Sequence, residues 1–482
     1  MTNFLKKNYF YFFISIFFIS GIVLRLNGYL INRPLWHDEC SLALSVISTD
    51  NFQWAKTLLH NQSAPILFMG LTKFISLIFG TKELVLRFIP LISGIISLYL
   101  FYRLTLDLFK KKFSILVTNF LFCFNLQLIY YTQEFKQYSS DVFITVGLLY
   151  YTNKYDFSRL DFKQTLIISA IFSILPLMSL PSALIIIAFL ISQIIENKGY
   201  IIKKVICCAI PILAISTIYF CTLLYKSKAN QLSLYESYWD IGFIKLSLTH
   251  ILNLIKFNND WFFYPNAHYL LMSIITTFGI AYSCKLKKYF LPLILLLGIL
   301  VSALNIYPLF QRISLWLIPI IILFIGIFTE TFCSNVKKTL LTSVLFILLF
   351  YNYNPINFLN KYSEIFVKTY NARNSMEYLS KIYTPENYII INSASDSEYE
   401  YYSDYYQFYT NKTGIINLPE YNKELYFKIL NSLPKNKKYI FYYAYDYGHS
   451  PVIPFLCEWC NKNKKVLFSK EFYNSVIIKI EN

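Results

Sequence analysis

Two adjacent carboxylates, Asp38 and Glu39 in the run Trp36-His37-Asp38-Glu39, follow closely on the first long apolar stretch of the chain. Near lipid a carboxylate is costly unless it is paired or solvated, so an acidic pair at the edge of an apolar run is a candidate for chemistry. One member could take a proton from a hydroxyl while the other holds a cation or the attacking group. The pair equally fits a solvated loop or the first turn of a helix, where acidic side chains complement the dipole. A second cluster, Gln133-Glu134-Phe135-Lys136-Gln137-Tyr138 with Asp141, borders another apolar run. Glu134, Tyr138 and Asp141 stand at i, i+4 and i+7, which stacks them on one face of a helix. Lys136 offers a cation to an anionic group, although an interfacial anchor or a capped helix end accounts for the same residues.

Weaker candidates are His60 in His60-Asn61-Gln62-Ser63-Ala64-Pro65, Arg87, and Arg312 after Tyr307-Pro308. A lone Arg beside an apolar run also serves as an interfacial anchor, and a lone His as a structural residue. His37 and His60 lack the spacing of a zinc site. Cys457 and Cys460 have no second pair nearby, so a four-thiolate zinc site is unsupported and two thiols or a short disulfide remain.

The elements that must position these groups are set by composition. Apolar residues make up 56% of the 482 positions and charged residues 15%, too little polar surface for an ordinary globule. Continuous apolar runs of about 20 residues read as membrane-crossing helices, not barrel strands. About 11 spans are expected, at 10–30, 84–109, 113–130, 139–152, 165–178, 181–196, 205–225, 267–284, 289–306, 312–331 and 338–352. This threading puts Lys6 and Lys7, Lys110 to Lys112, Lys154 with Arg159 and Lys163, Lys198 with Lys203 and Lys204, Lys285 with Lys287 and Lys288, and Lys337 with Lys338 on one face. That face is the cytoplasm by the positive-inside rule, with the N-terminus on it. The formal charge of +17 is thereby spent on orientation, and no basic stripe for nucleic acid is left.

The apolar segment 64–79 is short for a crossing, and letting it cross would invert every later basic loop. It is therefore expected on the outer surface, within a first outer loop of about 31–83 that holds helices near 41–60 and 65–79. The fold expected is mainly α: a membrane helical bundle over 1–352 with outer juxtamembrane helices, then a small α/β domain over 353–482 on the outside. In that tail a helix is expected near 374–383, with strands at Tyr388-IIINS, YIFYYAY and SVIIKI.

Acidic and basic groups thus gather on the outer face, and nothing comparable lines the middle of the membrane, where a secondary transporter needs them. With these residues in order, the sequence resembles the GT-C superfamily of membrane glycosyltransferases, in the branch of protein O-mannosyltransferases and lipid A aminoarabinose transferases. Asp38-Glu39 in LWHDECSLAL matches the family's acidic motif in the first outer loop. Ser63-Ala64-Pro65-Ile66-Leu67 resembles the segment that follows, and Gly80-TKE-LVL-Arg87 the Gly-x-x-Glu…Arg stretch. Glu134-Phe135-Lys136-Gln137-Tyr138 is similar to the family's Glu-x-Arg-x-Tyr, with Lys in place of the usual Arg, and Tyr307-Pro308-LFQ-Arg312 resembles a late Tyr-Pro…Arg element.

The resemblance covers roughly residues 10 to 330. It implies an inverting transfer of a sugar from a polyprenyl-phosphate donor to a glycan, lipid or protein acceptor on the outer face of a cell membrane, in a bacterial setting. It further implies Asp38 as base and Glu39 as its positioning partner. Lys136 and Arg312, with Arg87, would neutralise the donor phosphate, and Tyr138, Glu134, Asp141 and His60 would line the substrate site. Some relatives use a divalent cation such as Mg or Mn and others do not; Asp38, Glu134 and Asp141 could supply hard oxygen ligands. Two other classes remain open: a transporter or flippase of a lipid-linked glycan, and a non-catalytic assembly protein whose Tyr-rich outer domain does the work. The tail's tyrosines are expected to stack on sugar rings.

Overall fold

The protein is described from a computed structural model that covers residues 2–48, 50, 52–154, 157–197, 201–219, 221–222, 239–263, 269–286, 288–333, 335–349, 355–366, 372–392, 395–406, 414–418, 423–444, 452–463, 465–472 and 475–481. Each expected span falls on a helix or a pair of helices; their ends at 223–225, 267–268 and 350–352, with Lys198, Lys287 and Tyr445, lie outside the described residues. Helix length does not establish all of them as crossings. Among the described residues four helices are long and apolar enough to cross a membrane, Tyr9–Ile31, Phe88–Leu108, Ile202–Tyr219 and Gln311–Phe332. Lys112–Cys123 and Leu126–Gln133 would make a fifth as one span bent by 50°. The bend has a local cause. Asn125 accepts from the Leu128 N–H at 3.0 Å and donates to the Phe262 carbonyl at 2.6 Å, so it ends one helix and caps the next.

The first outer loop differs from expectation in one helix. The helix expected near 41–60 runs from His37 to Ile47, and two short 3-10 turns follow at Gln53–Ala55 and Leu59–Asn61. Local hydrogen bonds stop it: Asp50 N–H donates to the Ser48 hydroxyl at 3.2 Å, and Phe52 N–H to the Asp50 carboxylate at 2.9 Å. The second helix, Ile66–Phe79, lies where it was expected and turns Phe74 and Leu77 outward, the pattern of a helix lying in a membrane interface. A helix at Leu248–Phe262 was not anticipated, because its apolar stripe is broken by Asn253, Asn258 and Asn259.

The tail forms a five-stranded mixed sheet, β1 (Asn387–Asn392), β2 (Ile415–Leu418), β3 (Lys438–Ala444), β4 (Lys465–Phe472) and β5 (Ser475–Glu481), in the order β2-β1-β3-β5-β4. The pairs β1–β2 and β1–β3 are parallel, and β3–β5 and β4–β5 are antiparallel. Alternation along the strands sends Ile390, Tyr439, Phe441 and Ile478 to one face, with Tyr426, Leu430 and Trp459 of the helices Lys423–Asn431 and Val452–Asn463. Ile389, Ile391, Ile440, Tyr442 and Ile477 point the other way, into one core with Leu35, Cys40, Leu42, Phe68, Leu86 and Phe135. The sheet and the first outer loop therefore share a hydrophobic core. Three of the tail's tyrosines are part of it: Tyr399, Tyr401 and Tyr402 on the helix Asp396–Tyr405 are buried there.

Candidate active site

Asp38 and Glu39 begin the helix His37–Ile47, the Pro34-containing approach keeping the chain extended until Trp36. Neighbours on a helix diverge by about 100°, and the two carboxylates face different surroundings. Glu39 is wholly buried. Its Oε1 accepts from Arg87 Nε at 2.8 Å and the Phe135 N–H at 2.6 Å. Its Oε2 accepts from Arg87 Nη2 at 2.6 Å and the Trp36 N–H at 3.3 Å, and pairs with Arg33 Nη1 at 3.1 Å. Burial pushes the Glu39 carboxyl up, but Arg33, Arg87 and the Phe135 N–H together hold it below the usual range. Glu39 thus ties the second cluster to the first through Phe135, whose ring stacks on Phe68 at 5.8 Å.

Asp38 faces the other way, with its side chain 20% exposed. Its Oδ2 lies 2.9 Å from Arg312 Nη2 and 3.8 Å from Lys136 Nζ. Burial raises the Asp38 carboxyl, and Lys136, Arg312 and His37 more than offset it, leaving it below the usual carboxylate range. Lys136 sits in the turn between Gln133 and Tyr138 and donates to Gln62 Oε1 at 2.6 Å. Its ammonium is lowered by burial and then by the like charge of Arg312, against the pull of Asp38. Glycines on two spans let this turn approach: a Cβ on Gly28 would fall 2.2 Å from the Gln133 amide, and one on Gly94 2.0 Å from Thr132.

Arg312 begins the 3-10 turn Gln311–Leu317, and its guanidinium stacks between the indoles of Trp36 at 5.2 Å and Trp239 at 5.8 Å. The turn is held by Asn258, which donates to the Leu309 carbonyl at 2.8 Å and accepts from the Gln311 N–H at 3.2 Å. Tyr307 Oη adds a bond to the Ile313 carbonyl at 2.8 Å. Tyr138 is buried against Tyr131, ring centroids 5.3 Å apart. Glu134 is also buried, 3.8 Å from Arg33, and burial together with Glu39 raises its carboxyl.

Three sequence assignments change. Arg87 is 1% exposed and its guanidinium is given to Glu39 and to the carbonyls of Arg33 and Pro34, so it braces the segment 33–39. His60 turns away to the tail, its Nε2 3.2 Å from Glu400 and its Nδ1 3.7 Å from Asp396. The three oxygen-ligand candidates meet different surroundings: Asp38 Oδ2 faces two cations, Glu134 faces Arg33, and Asp141 is buried. Among the described residues no three His, Cys, Asp or Glu side chains gather as metal ligands. Sequence reasoning missed Arg33, Trp239 and Asn258, and held Gln62 only as part of the segment with His60. A buried guanidinium needs a carboxylate, and Arg33 in the approach to Asp38-Glu39 carried that signal; the others carried none.

No protein-family model matches the chain, and no curated protein is similar to it. Solved structures share its fold. ArnT from Cupriavidus metallidurans in the apo state superposes with a TM-score of 0.56 at 10% identity, over 98% of this chain and 98% of that one. The same enzyme bound to undecaprenyl phosphate gives 0.53 at 10% identity, over 97% of each chain. The apo oligosaccharyltransferase of Archaeoglobus fulgidus gives 0.53 at 13% identity over 83% of this chain, which spans 64% of that enzyme's length. The chain therefore has the GT-C-like fold, a mainly helical membrane architecture with a small C-terminal sheet.

Proposed function

We propose that the protein is a glycosyltransferase that moves a sugar from a polyprenyl-phosphate donor to an acceptor at the outer face of the membrane, with inversion. The observation that carries this is the joint placement of a carboxylate and two phosphate-seeking cations, Asp38 with Arg312 at 2.9 Å and Lys136 at 3.8 Å. Around them four cations, Arg33, Arg87, Lys136 and Arg312, face three carboxylates, Asp38, Glu39 and Glu134, of which burial favours the neutral form of Glu134. The excess positive charge suits a phosphate.

In the proposed step the acceptor hydroxyl oxygen bonds to the anomeric carbon as the bond from that carbon to the phosphate oxygen breaks. The phosphate leaves with the electron pair, and the hydroxyl proton passes to Asp38. Lys136 and Arg312 serve twice in this scheme. Without donor they depress the carboxyl of Asp38 and keep it a weak base; when they turn to the phosphate, that depression is relieved where the base is needed. Glu39, held by two guanidiniums, fixes the helix start that aims Asp38. The fold shared with an enzyme solved with undecaprenyl phosphate supports the donor class.

Asp38→Asn is the test. With protein, polyprenyl-phosphate sugar and cell-envelope acceptors in vesicles, the wild type should release free polyprenyl phosphate together with glycosylated acceptor. The variant should do neither at unchanged membrane abundance. Full transfer by Asp38→Asn would exclude Asp38 as base, and movement of intact donor across the bilayer without consumption would favour a flippase.

A further inference from the structure

The tail contributes a carboxylate that the transfer step does not use. Glu398, on the helix Asp396–Tyr405, is wholly buried, and its Oε2 lies 3.2 Å from Nδ1 of His37, the residue immediately before Asp38. The Ser397 hydroxyl lies 2.9 Å from the same Nδ1 and donates to the His37 carbonyl at 3.4 Å. On the other side of Trp36, Tyr402 Oη accepts from the Leu35 N–H at 2.8 Å and donates to Glu83 Oε1 at 3.2 Å. Glu83 in turn pairs with Arg373 at 2.8 Å, and Arg373 reaches the Asn32 carbonyl at 2.8 Å. One tail helix and its neighbour therefore grip the backbone of 32–37 just ahead of Asp38. The same helix makes a second grip through Asp396 and Glu400 on His60, two residues before the Gln62 that accepts from Lys136.

A loop that carries a base is mobile unless something fixes it, and misplacement of a reacting group by about 1 Å costs on the order of 100-fold in rate. Glu39 fixes Asp38 from the inside; the residues ahead of it, on the outer side, are fixed by the tail. His60 and Asn61 have φ of 50° and 53°, a left-handed pair that needs outside support to persist. The two pairs differ in weight. Asp396 and Glu400 are 36% and 59% exposed, so their pairing with His60 is screened, whereas Glu398 is desolvated and its bond to His37 is worth more.

We propose that the helix Asp396–Tyr405 positions both sides of the active site, with Glu398, acting through His37, as the principal positioning residue for Asp38. This rests on the reading of Asp38 as the base. It gives the tail a role in assembling the site and not in contacting sugar through its buried tyrosines.

The test uses the full chain in nanodiscs, hydrogen exchange of the 33–40 amides, and titration with undecaprenyl phosphate as the probe. Glu398→Gln should speed exchange in 33–40 by about tenfold, as expected for loss of one charge-assisted bond, while undecaprenyl phosphate, held by Lys136 and Arg312 and not by Asp38, should bind no more weakly than to the wild type; weaker binding with faster exchange throughout the chain would overturn a local positioning role. The swap His37→Glu with Glu398→His should restore slow exchange in 33–40, which it can do only if the two side chains act as a pair. If Glu398→Gln does not fold, Tyr402→Phe, which removes only the hydroxyl bonds to Leu35 and Glu83, carries the same expectation. Unchanged exchange in 33–40 overturns the proposal, as does a folded swap variant with no recovery. A wild type that does not bind the probe overturns the proposed function instead; faster exchange confined to 33–40 would then still support the grip.

Discussion

Replacing Glu39 by Gln tests whether that residue is a structural anchor or a reacting group. The carboxylate receives donors on both oxygens, Arg87 Nε and Phe135 N–H on Oε1 and Arg87 Nη2 and Trp36 N–H on Oε2, and Arg33 pairs with Oε2. A glutamine keeps one oxygen and turns an NH2 toward the rest. Whichever way the amide lies, at least two donors lose their acceptor, and two buried guanidiniums lose their counter-charge. Breaking a buried pair by removing one partner costs about 3–5 kcal/mol. The expected result is a loss of that size in the stability of the folded protein, measured as thermal unfolding in nanodiscs, with lower membrane abundance. Asp38→Asn, at a partly exposed site, should stay within about 1 kcal/mol of the wild type. A Glu39→Gln protein as stable as the wild type but inactive would refute the anchoring role and return Glu39 to the chemistry.

Three further results are expected. Lys136→Gln and Arg312→Gln should each weaken undecaprenyl phosphate binding by about 10- to 100-fold, the worth of one charge-assisted bond; equal affinity in both would remove the phosphate role. Asp38→Asn should tighten the same binding by severalfold, because the carboxylate competes for both cations; weaker binding would contradict the arrangement. Stability should depend on pH on two sides. Burial raises Asp38 and Glu39, but their cations hold them low, so their contribution is complete above about pH 4 and is lost as pH falls through the depressed values. His60 is raised to about 9 by bonds to Asp396 and then Glu400, so its contribution is complete below about pH 6.5 and fades as pH rises through about 9. His60→Gln should lose part of the alkaline fall, and an unaltered profile would dismiss that pair.

What the sequence carried and what it withheld follow from range. Apolar length placed the helices, because that signal is local and additive along the chain, and Asp38, Lys136 and Arg312, which the threading sets on one face, meet in the structure. Partner choice is neither. Arg87 beside an apolar run reads the same whether it meets a lipid phosphate or a buried carboxylate 48 positions away. His60 gave no sign of its partners in the tail, 336 and 340 positions on. One missed signal was present: Tyr399 and Tyr402 stand three positions apart on one helix face, which marks a buried stripe more readily than a sugar platform. The helix Leu248–Phe262 escaped because three asparagines interrupt its stripe, and one of them, Asn258, holds the turn of Arg312.

The division of work between Asp38 and Glu39 follows from their place on a helix start. Adjacent side chains there point about 100° apart, so one can enter the protein while the other stays partly exposed. The longer glutamate reaches across to Arg33 and Arg87; the shorter aspartate keeps its carboxylate close to the backbone, where rigidity is greatest. An anchored residue directly beside a reacting one transmits its fixation through a single peptide. In the proposed transfer that gives the pair a physical reason to be adjacent: the anchor's cations hold the helix start, and a separate pair of cations, Lys136 and Arg312, faces Asp38 and is left for the phosphate.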